Sequence, residues 1–257
     1  MSAARYLEEV RRLLDYIETS QMPVIHEVAR AAFDVIVRGG VIHVFGAGHA
    51  HMVAEEAFAR AGGLVPTVAL LDPGFMVYGG FLKNSALERL PGYGRLVFEH
   101  YDTRPGEIVV VHSQSGRNAA PVDVALAARE KGLKVVAITS LAHSKAVESG
   151  HPSGLKLYQV ADWVIDNGCP HGDAILEFGQ GRPRVAPLST VAGVVIWNMI
   201  VAEVAALLAG AASAGPDGTD RQPSSFFPFW TSANVEGGAE ANRRYVEAYR
   251  GRWRNLI

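Results

Sequence analysis

Five residues suited to binding an anion lie together in this sequence, namely Ser113, Gln114, Ser115, Gly116 and Asn118. An apolar run typical of a strand, Ile108 to Val111, precedes them, and a helix-forming run, Ala119 to Lys131, follows. A turn between a strand and a helix presents free N–H groups and the positive end of the helix dipole. Hydroxyl and amide groups add donors, and glycine lets a ligand approach the backbone. The stretch predicts a phosphate-binding loop, because a helix cap alone requires fewer such residues.

A second turn of this kind follows the apolar run Val41 to Phe45. It contains two glycines and two histidines, Gly46, Gly48, His49 and His51. A helix is predicted after it, from about Met52 to Ala61. Imidazole titrates near neutral pH, so either histidine could exchange a proton with a substrate hydroxyl or carbonyl. The alternative is that both histidines only hydrogen-bond the backbone of the turn.

Two adjacent carboxylates, Glu55 and Glu56, lie early in that predicted helix. Because the helix begins in the predicted site, we expect one of them to face the cleft. A desolvated carboxylate can act as a general base near neutral pH. The alternative is a solvated surface pair, and spacing alone does not say which of the two faces inward.

Polar residues also follow a later apolar strand, Trp163 to Asp166. His171 and Asp173 lie in this polar segment, which a parallel sheet would place at the carboxyl edge, where ligands bind. Ser189 and Thr190 then open a long apolar helix and are expected at least to cap it. These residues extend the predicted site beyond the two glycine-containing turns.

Two cofactor hypotheses use the same residues. Gly46 and Gly48 are compatible with a dinucleotide-binding turn, but His51 occupies the place of the third glycine and Asp72 is the only nearby acid for a ribose. Zinc could be held by His49 and His51 with His112 or His171, but no tight ligand spacing supports such a site. We therefore expect neither a cofactor nor a metal.

Composition narrows the function classes. The 257 residues carry a net charge of −2, so no strong field recruits nucleic acid or anionic lipid. The single cysteine, Cys169, cannot form an internal disulfide, and the N-terminal segment is charged, which favours the cytoplasm. Asn198 and Glu203 interrupt the apolar run Val191 to Leu208, so we expect a helix buried in a protein core and not a membrane span.

Strands alternate with helices along the chain, which predicts an α/β fold with a parallel sheet covered on both faces. Two helices separated by Pro23 are expected in residues 1–38, and the core domain in 39–210. Further strands are predicted at Leu64 to Leu71 and at Val135 to Thr139. The stretch Asp72 to Arg95 lacks periodicity and is expected to be loop plus short helix. The long buried helix is predicted from Leu188 to Ala209. A linker is expected at 211–225 and an aromatic tail at 226–257, with a final helix near Ala239 to Arg250 and a dimer contact as the expected role.

The two turns together resemble the sugar isomerase (SIS) domain, a phosphosugar-binding family. Residues 113–118 look like its S-x-S-G-x-T phosphate loop, residues 46–50 look like its G-x-G-x-S sugar-contacting turn, and the likeness runs from about Arg30 to Ala209. The whole chain, including the segment 232–238, looks closest to a branch of single-SIS-domain proteins (UPF0309-like). The resemblance implies a five-stranded, doubly wound, flavodoxin-like domain, usually a homodimer or higher oligomer, that binds the phosphate of an open-chain sugar.

Within this resemblance, Ser189, Thr190 and His171 are expected to contact the ligand, and Glu55 or Glu56 with His49 or His51 to catalyse aldose–ketose isomerisation through an enediol. Two departures stand out, because Ala50 replaces the usual Ser and Asn118 replaces the usual Thr. The loss of a hydroxyl at position 50 affects catalysis more than binding. Two alternatives therefore remain open, a lyase that cleaves the lactyl ether of N-acetylmuramic acid 6-phosphate and a non-catalytic phosphosugar sensor.

Overall fold

A computed structural model describes residues 1–213 and 227–253 of the chain. Its centre is a five-stranded sheet in the order β2-β1-β3-β4-β5, in which every neighbouring pair is parallel. The strands are β1 (Ile42–Gly46), β2 (Thr67–Ala69), β3 (Ile108–His112), β4 (Lys134–Thr139) and β5 (Trp163–Asp166). The chain order reverses between β1 and β3, which is where open α/β sheets bind ligands. The predicted doubly wound, flavodoxin-like fold is confirmed.

Helices cover both faces of this sheet. One face carries α1 (Ser2–Val37), α2 (His51–Ala57) and α8 (Ser189–Ser213), and their apolar residues pack on Ile42, Val44 and Val110. The other face carries α4 (Tyr93–Glu99), α5 (Ala119–Glu130) and α7 (Leu157–Val160) against Phe45, Val109 and Val111. Because strand side chains alternate between the two faces, each apolar strand contributes residues to both hydrophobic cores. The polar residues that follow the strands are left at the edge of the sheet, where a site can form.

The N-terminal region is one helix and not two, which corrects the expectation based on Pro23. Helix α1 runs unbroken through Pro23 over 36 residues. A proline inside a helix removes one backbone hydrogen bond and costs about 3 kcal/mol. Buried residues on both sides of it, Ile17 before and Ile25 after, pack into the same core as α8. Tertiary packing therefore offsets the local penalty and keeps the helix continuous.

The aperiodic stretch after β2 contains α3 (Phe81–Glu88) and α4, preceded by a 3-10 turn at Val77–Gly79. Strand β2 is shorter than predicted, because Leu64 instead pairs in an isolated bridge with Phe229. Short helices, α6 (Leu141–Lys145) and α7, follow β4, and an antiparallel pair, β6 (Ala174–Leu176) and β7 (Val185–Pro187), precedes α8. These short elements were not predicted, since they lack a periodic apolar pattern.

Helix α8 is the long apolar helix expected from the sequence, and it extends past Ala209 to Ser213. Its stretch Ser189–Ala211 is long and apolar enough to cross a membrane by length and composition. It packs along α1 in the core, where Ile196, Trp197 and Val204 are buried. This packing is that of the core helix of a soluble domain.

The aromatic tail packs on its own subunit. Trp230 and Trp253 are buried, and their ring centroids lie 5.4 Å apart, with Tyr249 stacked on Trp253 at 5.2 Å. Helix α9 (Gly238–Tyr249) carries this tail back to the sheet. Burial of these aromatic residues therefore needs no partner subunit. Most of the linker predicted at 211–225, and Phe226, lie outside the described residues.

Candidate functional site

A cavity of about 320 Å³ opens at the carboxyl ends of β1 and β3. The turn after β1 and the loop after β3 form two of its walls, and α3 forms a third. Its lining includes Gly48, His49, Ala50, Asn84, Ser85, Glu88, Arg89, His112, Ser113, Gln114, Ser115, His143, Asp173 and Ser189. The cavity thus joins both motifs predicted from the sequence with α3, which the sequence did not single out.

In the loop after β3, the backbone carbonyls accept hydrogen bonds from the protein, whereas most of the backbone N–H groups are unpaired. The carbonyls of Gln114, Ser115, Gly116 and Arg117 accept hydrogen bonds from Ser140 N, Ser144 Oγ, Leu157 N and Gly150 N at 3.1, 2.6, 2.8 and 2.8 Å. In the described part of the chain, the backbone N–H groups of Gln114, Ser115, Arg117 and Asn118 donate to no protein acceptor. Buried or half-buried backbone donors are nearly always paired in folded proteins. This loop therefore presents a cluster of donors suited to an anion.

Helix capping does not account for this loop. Asn118 is the N-cap residue of α5, yet its side chain makes no capping hydrogen bond. Its Nδ2 instead donates to Glu88 Oε1 at 2.8 Å. Gly116 has a φ of +58°, and a Cβ there would lie 3.1 Å from both Ser144 Oγ and Thr139 Oγ1. Glycine is required at this position because the loop curls tightly over the end of β4.

Glu88 lies between the two turns. It is the last residue of α3, its carboxylate accepts the hydrogen bond from Asn118, and its Oε2 lies 3.8 Å from where a Cβ on Gly48 would be. Sequence reasoning missed it because the stretch Asp72 to Arg95 shows no periodicity. The available signal was the spacing of polar residues, since Asn84, Ser85 and Glu88 share one helical face.

Glu55 and Glu56 do not line the cavity, which corrects the expectation that one of them faces the cleft. A 3-10 turn at Gly48–Ala50 comes before α2 and sets its register, so His51, Val53 and Ala54 form the buried face. Glu55 is exposed, 3.6 Å from His51 Nε2, and Glu56 pairs with Arg60. Both glutamates have surface partners instead of a place in the site.

The two predicted histidines are separated. His49 lines the cavity. His51 is buried outside it, and its Nδ1 hydrogen-bonds the carbonyl of Gly48, so the alternative of a turn histidine holds for this residue. Gly46 also acts inside the turn, because a Cβ there would collide with the Ala50 carbonyl. Of the first motif, Gly48, His49 and Ala50 remain beside a ligand.

His112 forms part of the cavity floor. It is 1% exposed, and its Nδ1 lies 3.4 Å from the carbonyl of Ala50. Burial lowers the pKa of His112 to about 4, so the ring is neutral at pH 7. A Cβ on Gly193 would lie 2.9 Å from the ring, so α8 approaches closely at this point. His112 was considered earlier only as a zinc ligand.

Residues after β5 position the site from below. Asn167 is fully buried and donates from Nδ2 to Gln114 Oε1 at 2.8 Å, so the Gln114 side chain is already engaged. Asp173 accepts hydrogen bonds from Ser189 N at 2.8 Å and Ser189 Oγ at 2.7 Å, which caps α8. His171 stacks edge-on against His143 at 4.6 Å and, like Thr190, is not part of the cavity lining. Asp173 therefore caps α8 in place of Ser189 and Thr190, which corrects the expectation, and Ser189 lines the cavity.

The cofactor hypotheses gain no support from the described residues. No group of three His, Cys, Asp or Glu side chains in residues 1–213 and 227–253 could hold a metal ion. Asp72, the candidate partner for a ribose, accepts hydrogen bonds from Gly74 N and Tyr93 OH, both at 2.7 Å. Its carboxylate therefore serves the loop after β2.

Comparison with known proteins places this geometry in a family. The SIS domain model matches residues 5–140. The chain belongs to the SIS-domain family. A UPF0309 protein of Geobacillus kaustophilus is 40% identical to it over 96% of this chain and 94% of the relative. One from Caldanaerobacter subterraneus is 39% identical over 98% of each chain.

Solved structures share the fold of this SIS-domain protein. The phosphoheptose isomerase GmhA of Neisseria gonorrhoeae has a TM-score of 0.53 and 18% identity, covering 79% of this chain and 96% of that one. A phosphoheptose isomerase from Francisella tularensis has a TM-score of 0.53 and 15% identity over the same shares. At this level of identity, the two enzymes establish the architecture alone.

Proposed function

We propose that this protein binds a phosphosugar and isomerises it between aldose and ketose forms. The observation that carries the binding proposal is the loop after β3, with its four tied carbonyls and its open amides on Gln114, Ser115, Arg117 and Asn118. A phosphate there would receive hydrogen bonds from backbone N–H groups and face the N-terminus of α5. Binding energy at the phosphate would orient the remote carbonyl carbon for reaction.

The chemical step is assigned to Glu88 in place of Glu55 or Glu56. With the phosphate on the loop, the sugar extends toward α3 and the turn after β1, where Glu88 and His49 line the cavity. Glu88 would take the proton from the carbon beside the carbonyl, and His49 would move the hydroxyl proton, giving an enediol. Return of the proton to the adjacent carbon completes the isomerisation. General acid–base catalysis of this kind contributes about 10²–10⁴-fold to rate.

Asn118 supports this assignment by fixing the base. Its Nδ2 donates to Glu88 Oε1, which leaves Glu88 Oε2 on the side of Gly48 and the cavity. The replacement of the family's usual Thr by Asn thus supplies a longer donor that reaches α3. The hydroxyl missing at Ala50 is not replaced by another hydroxyl in the turn 46–51.

Proton NMR in deuterated water tests the reaction. The protein is incubated with a panel of five- to seven-carbon sugar phosphates and with N-acetylmuramic acid 6-phosphate. We expect deuterium beside the carbonyl and a new ketose or aldose for at least one sugar. Released lactate would instead establish the ether-cleaving lyase. Line broadening without exchange or conversion would contradict the isomerase proposal and favour a sensor.

We also propose that the protein is a homodimer or higher oligomer. Three large apolar residues at and beside the cavity mouth are exposed, Tyr78, Phe81 and Leu82, at 72%, 69% and 80%. A second copy is the occupant that would cover them and narrow the cavity mouth. Light scattering should give at least twice the 27.6 kDa chain mass. A monomer at high micromolar concentration would contradict the proposal.

A further inference from the structure

Arg117 and two histidines, His143 and His171, follow consecutive strands at and beside the loop 113–118. Arg117 follows β3, His143 follows β4 and His171 follows β5, so the three come from consecutive strand ends on the side of β3 opposite to β1. The rings of His143 and His171 are 4.6 Å apart, and His143 lines the cavity. His143 thus brings the residues after β4 into the cavity wall, whereas Arg117 and His171 are not part of the lining.

Two nitrogen atoms of this group are buried without a partner. Arg117 Nε and His143 Nδ1 have no hydrogen-bond acceptor or donor within the described ranges. The Arg117 guanidinium also forms no ion pair there, whereas the guanidinium of Arg129 donates to the carbonyl of Val160 at 2.7 Å. Unpaired buried donors are costly and rare in folded proteins. Their occurrence next to an open anion-binding loop indicates an absent ligand group.

The positive charge of this group is that of the Arg117 guanidinium. Burial lowers the pKa of His143, and the neighbouring His171 and Arg117 lower it further, while Asp173 acts in the opposite direction. The Asp173 carboxylate is already occupied by the first residues of α8. Lys156 Nζ is held by the carbonyls of Ser144 and Val147 and adds no acceptor. An anion would compensate this group.

We propose that Arg117 and His143 form a second anion subsite beside the phosphate loop. The ligand would then be a phosphosugar that carries another anionic group close to its phosphate, either a second phosphoryl group or a carboxylate. Guanidinium suits both groups, because its fork of donors matches phosphate and carboxylate oxygens. This inference rests on the proposed phosphosugar function and narrows its substrate class.

Calorimetric titration of the full chain tests the subsite with three small probes. Inorganic phosphate occupies the loop alone, pyrophosphate adds a phosphoryl group, and 2-phosphoglycolate adds a carboxylate. Ionic strength is held constant and divalent cations are left out. We expect at least one of the two probes with a second anionic group to bind about tenfold tighter than phosphate, as charge-assisted hydrogen bonds predict. The probe that binds more tightly than phosphate shows whether the second anionic group is a phosphoryl group or a carboxylate.

Variants assign the gain to named residues. Arg117→Gln and His143→Gln should bring the ratio of probe affinity to phosphate affinity close to one. Lys145→Gln is the matched control, because Lys145 is an exposed cation on α6, two residues from His143. It should keep the native ratio. Circular dichroism confirms that each variant is folded, and Arg117→Lys replaces Arg117→Gln where the latter does not fold.

Three outcomes separate the two proposals. Failure of the native protein to bind phosphate would overturn the phosphosugar function itself. Phosphate binding without any gain for pyrophosphate or phosphoglycolate would overturn only the second subsite. Equal losses for all three probes in Arg117→Gln would also overturn it, since the Arg117 side chain would then act on the phosphate in the loop and not on a second anionic group.

Discussion

The two edges of the sheet both bury charged residues, but they treat them differently. At the amino edge, Glu107 is 3% exposed and its carboxylate is fully engaged. Oε1 accepts from Val41 N at 3.2 Å and Arg252 Nη2 at 2.6 Å, and Oε2 accepts from His43 Nε2 at 2.8 Å and Arg104 N at 2.9 Å. Arg252 is also 3.0 Å from Asp102. The buried charges of Glu107 and Arg252 are therefore paired with each other within the protein.

At the carboxyl edge, the backbone N–H groups of Gln114, Ser115, Arg117 and Asn118 have no partner among the described residues, and neither do two side-chain nitrogen atoms, Arg117 Nε and His143 Nδ1. Each edge also has a cleft, about 210 Å³ at the amino edge and about 320 Å³ at the carboxyl edge. Burial of charge alone therefore does not identify a binding site. A run of unpaired backbone N–H groups beside a cavity is the stronger indication, because a ligand can supply the missing acceptors. The amino edge holds the tail through Arg252, and the carboxyl edge is the proposed site.

The largest expected effect is on catalysis. Glu88→Gln keeps the shape and the contact to Asn118 but removes the base, so we expect turnover to fall by about 10²–10⁴-fold while sugar phosphate still binds. Glu55→Gln is the matched control, because Glu55 is an exposed glutamate outside the cavity, and it should retain turnover. Turnover rates and calorimetry measure the two quantities. A reversed pattern, with only Glu55→Gln inactive, would remove Glu88 from the mechanism.

The next effect is on stability at the opposite edge. Arg252→Met leaves the buried Glu107 carboxylate without its guanidinium, and breaking a buried pair costs about 3–5 kcal/mol. Urea unfolding followed by tryptophan fluorescence checks this, since Trp253 is buried next to Arg252. Phosphate affinity should not change. Arg104→Gln, which removes only a surface pair with Asp102, should leave stability as it is. Equal losses of stability in both variants would contradict the stabilising role of the buried Arg252–Glu107 pair.

Acid should affect Glu107 and His112 in different pH windows. Burial raises the pKa of Glu107, but hydrogen bonds from His43 and Arg252 outweigh it and lower the pKa to about 2. Its stabilisation is therefore complete above the ordinary value of 4.5 and is lost as the pH falls toward 2. Burial lowers the pKa of His112 to about 4, so the stability that its neutral ring allows is lost as the pH falls from 6.5 toward 4. Burial also lowers the pKa of His43, which adds to the loss of stability in this pH range.

Urea unfolding across these windows distinguishes the two groups. In Glu107→Gln, the fall in the free energy of unfolding below pH 4.5 should be smaller than in the native protein. In His112→Gln, the smaller fall should instead lie above pH 4. An unchanged slope in Glu107→Gln would show that the carboxylate is not held ionised by its partners.

The smallest expected effect concerns the support of the phosphate loop. Ser144→Ala removes the hydroxyl that holds the Ser115 carbonyl, so we expect a loss of stability of about 1 kcal/mol and phosphate affinity weaker by a few fold. Thr19→Ala removes a similar hydroxyl bond, to the carbonyl of Asp15, on the exposed side of α1 and outside the cavity lining. Its phosphate affinity should equal that of the native protein. Equal affinities in both variants would mean that the loop needs no anchoring at Ser115.

The sheet and the phosphate loop could be predicted because their information is local. Apolar runs marked β1, β3, β4 and β5, and the polar turn 113–118 followed one of them directly. Pro23 misled the prediction at α1, since the packing of that helix on α8 is not visible in local spacing. Patterns of adjacent residues thus predicted the strands, whereas the continuity of α1 through Pro23 depends on long-range packing.

The catalytic assignment could not be predicted in the same way. Glu88 reaches the site through a contact with Asn118, 30 residues away, from a stretch without periodicity. The adjacent pair Glu55 and Glu56 looked better placed until the 3-10 turn at Gly48–Ala50 set the register of α2. Such register changes depend on backbone geometry, which residue types alone do not encode.

The most direct test of the central claim is a crystal structure with the tightest-binding sugar phosphate of the panel. We predict the phosphate within hydrogen-bond distance of the amides of Gln114, Ser115, Arg117 and Asn118, with the sugar carbons directed toward Glu88. A phosphate bound instead in the amino-edge cleft beside Arg38 and Arg252, with the loop amides unoccupied at saturating ligand, would contradict it.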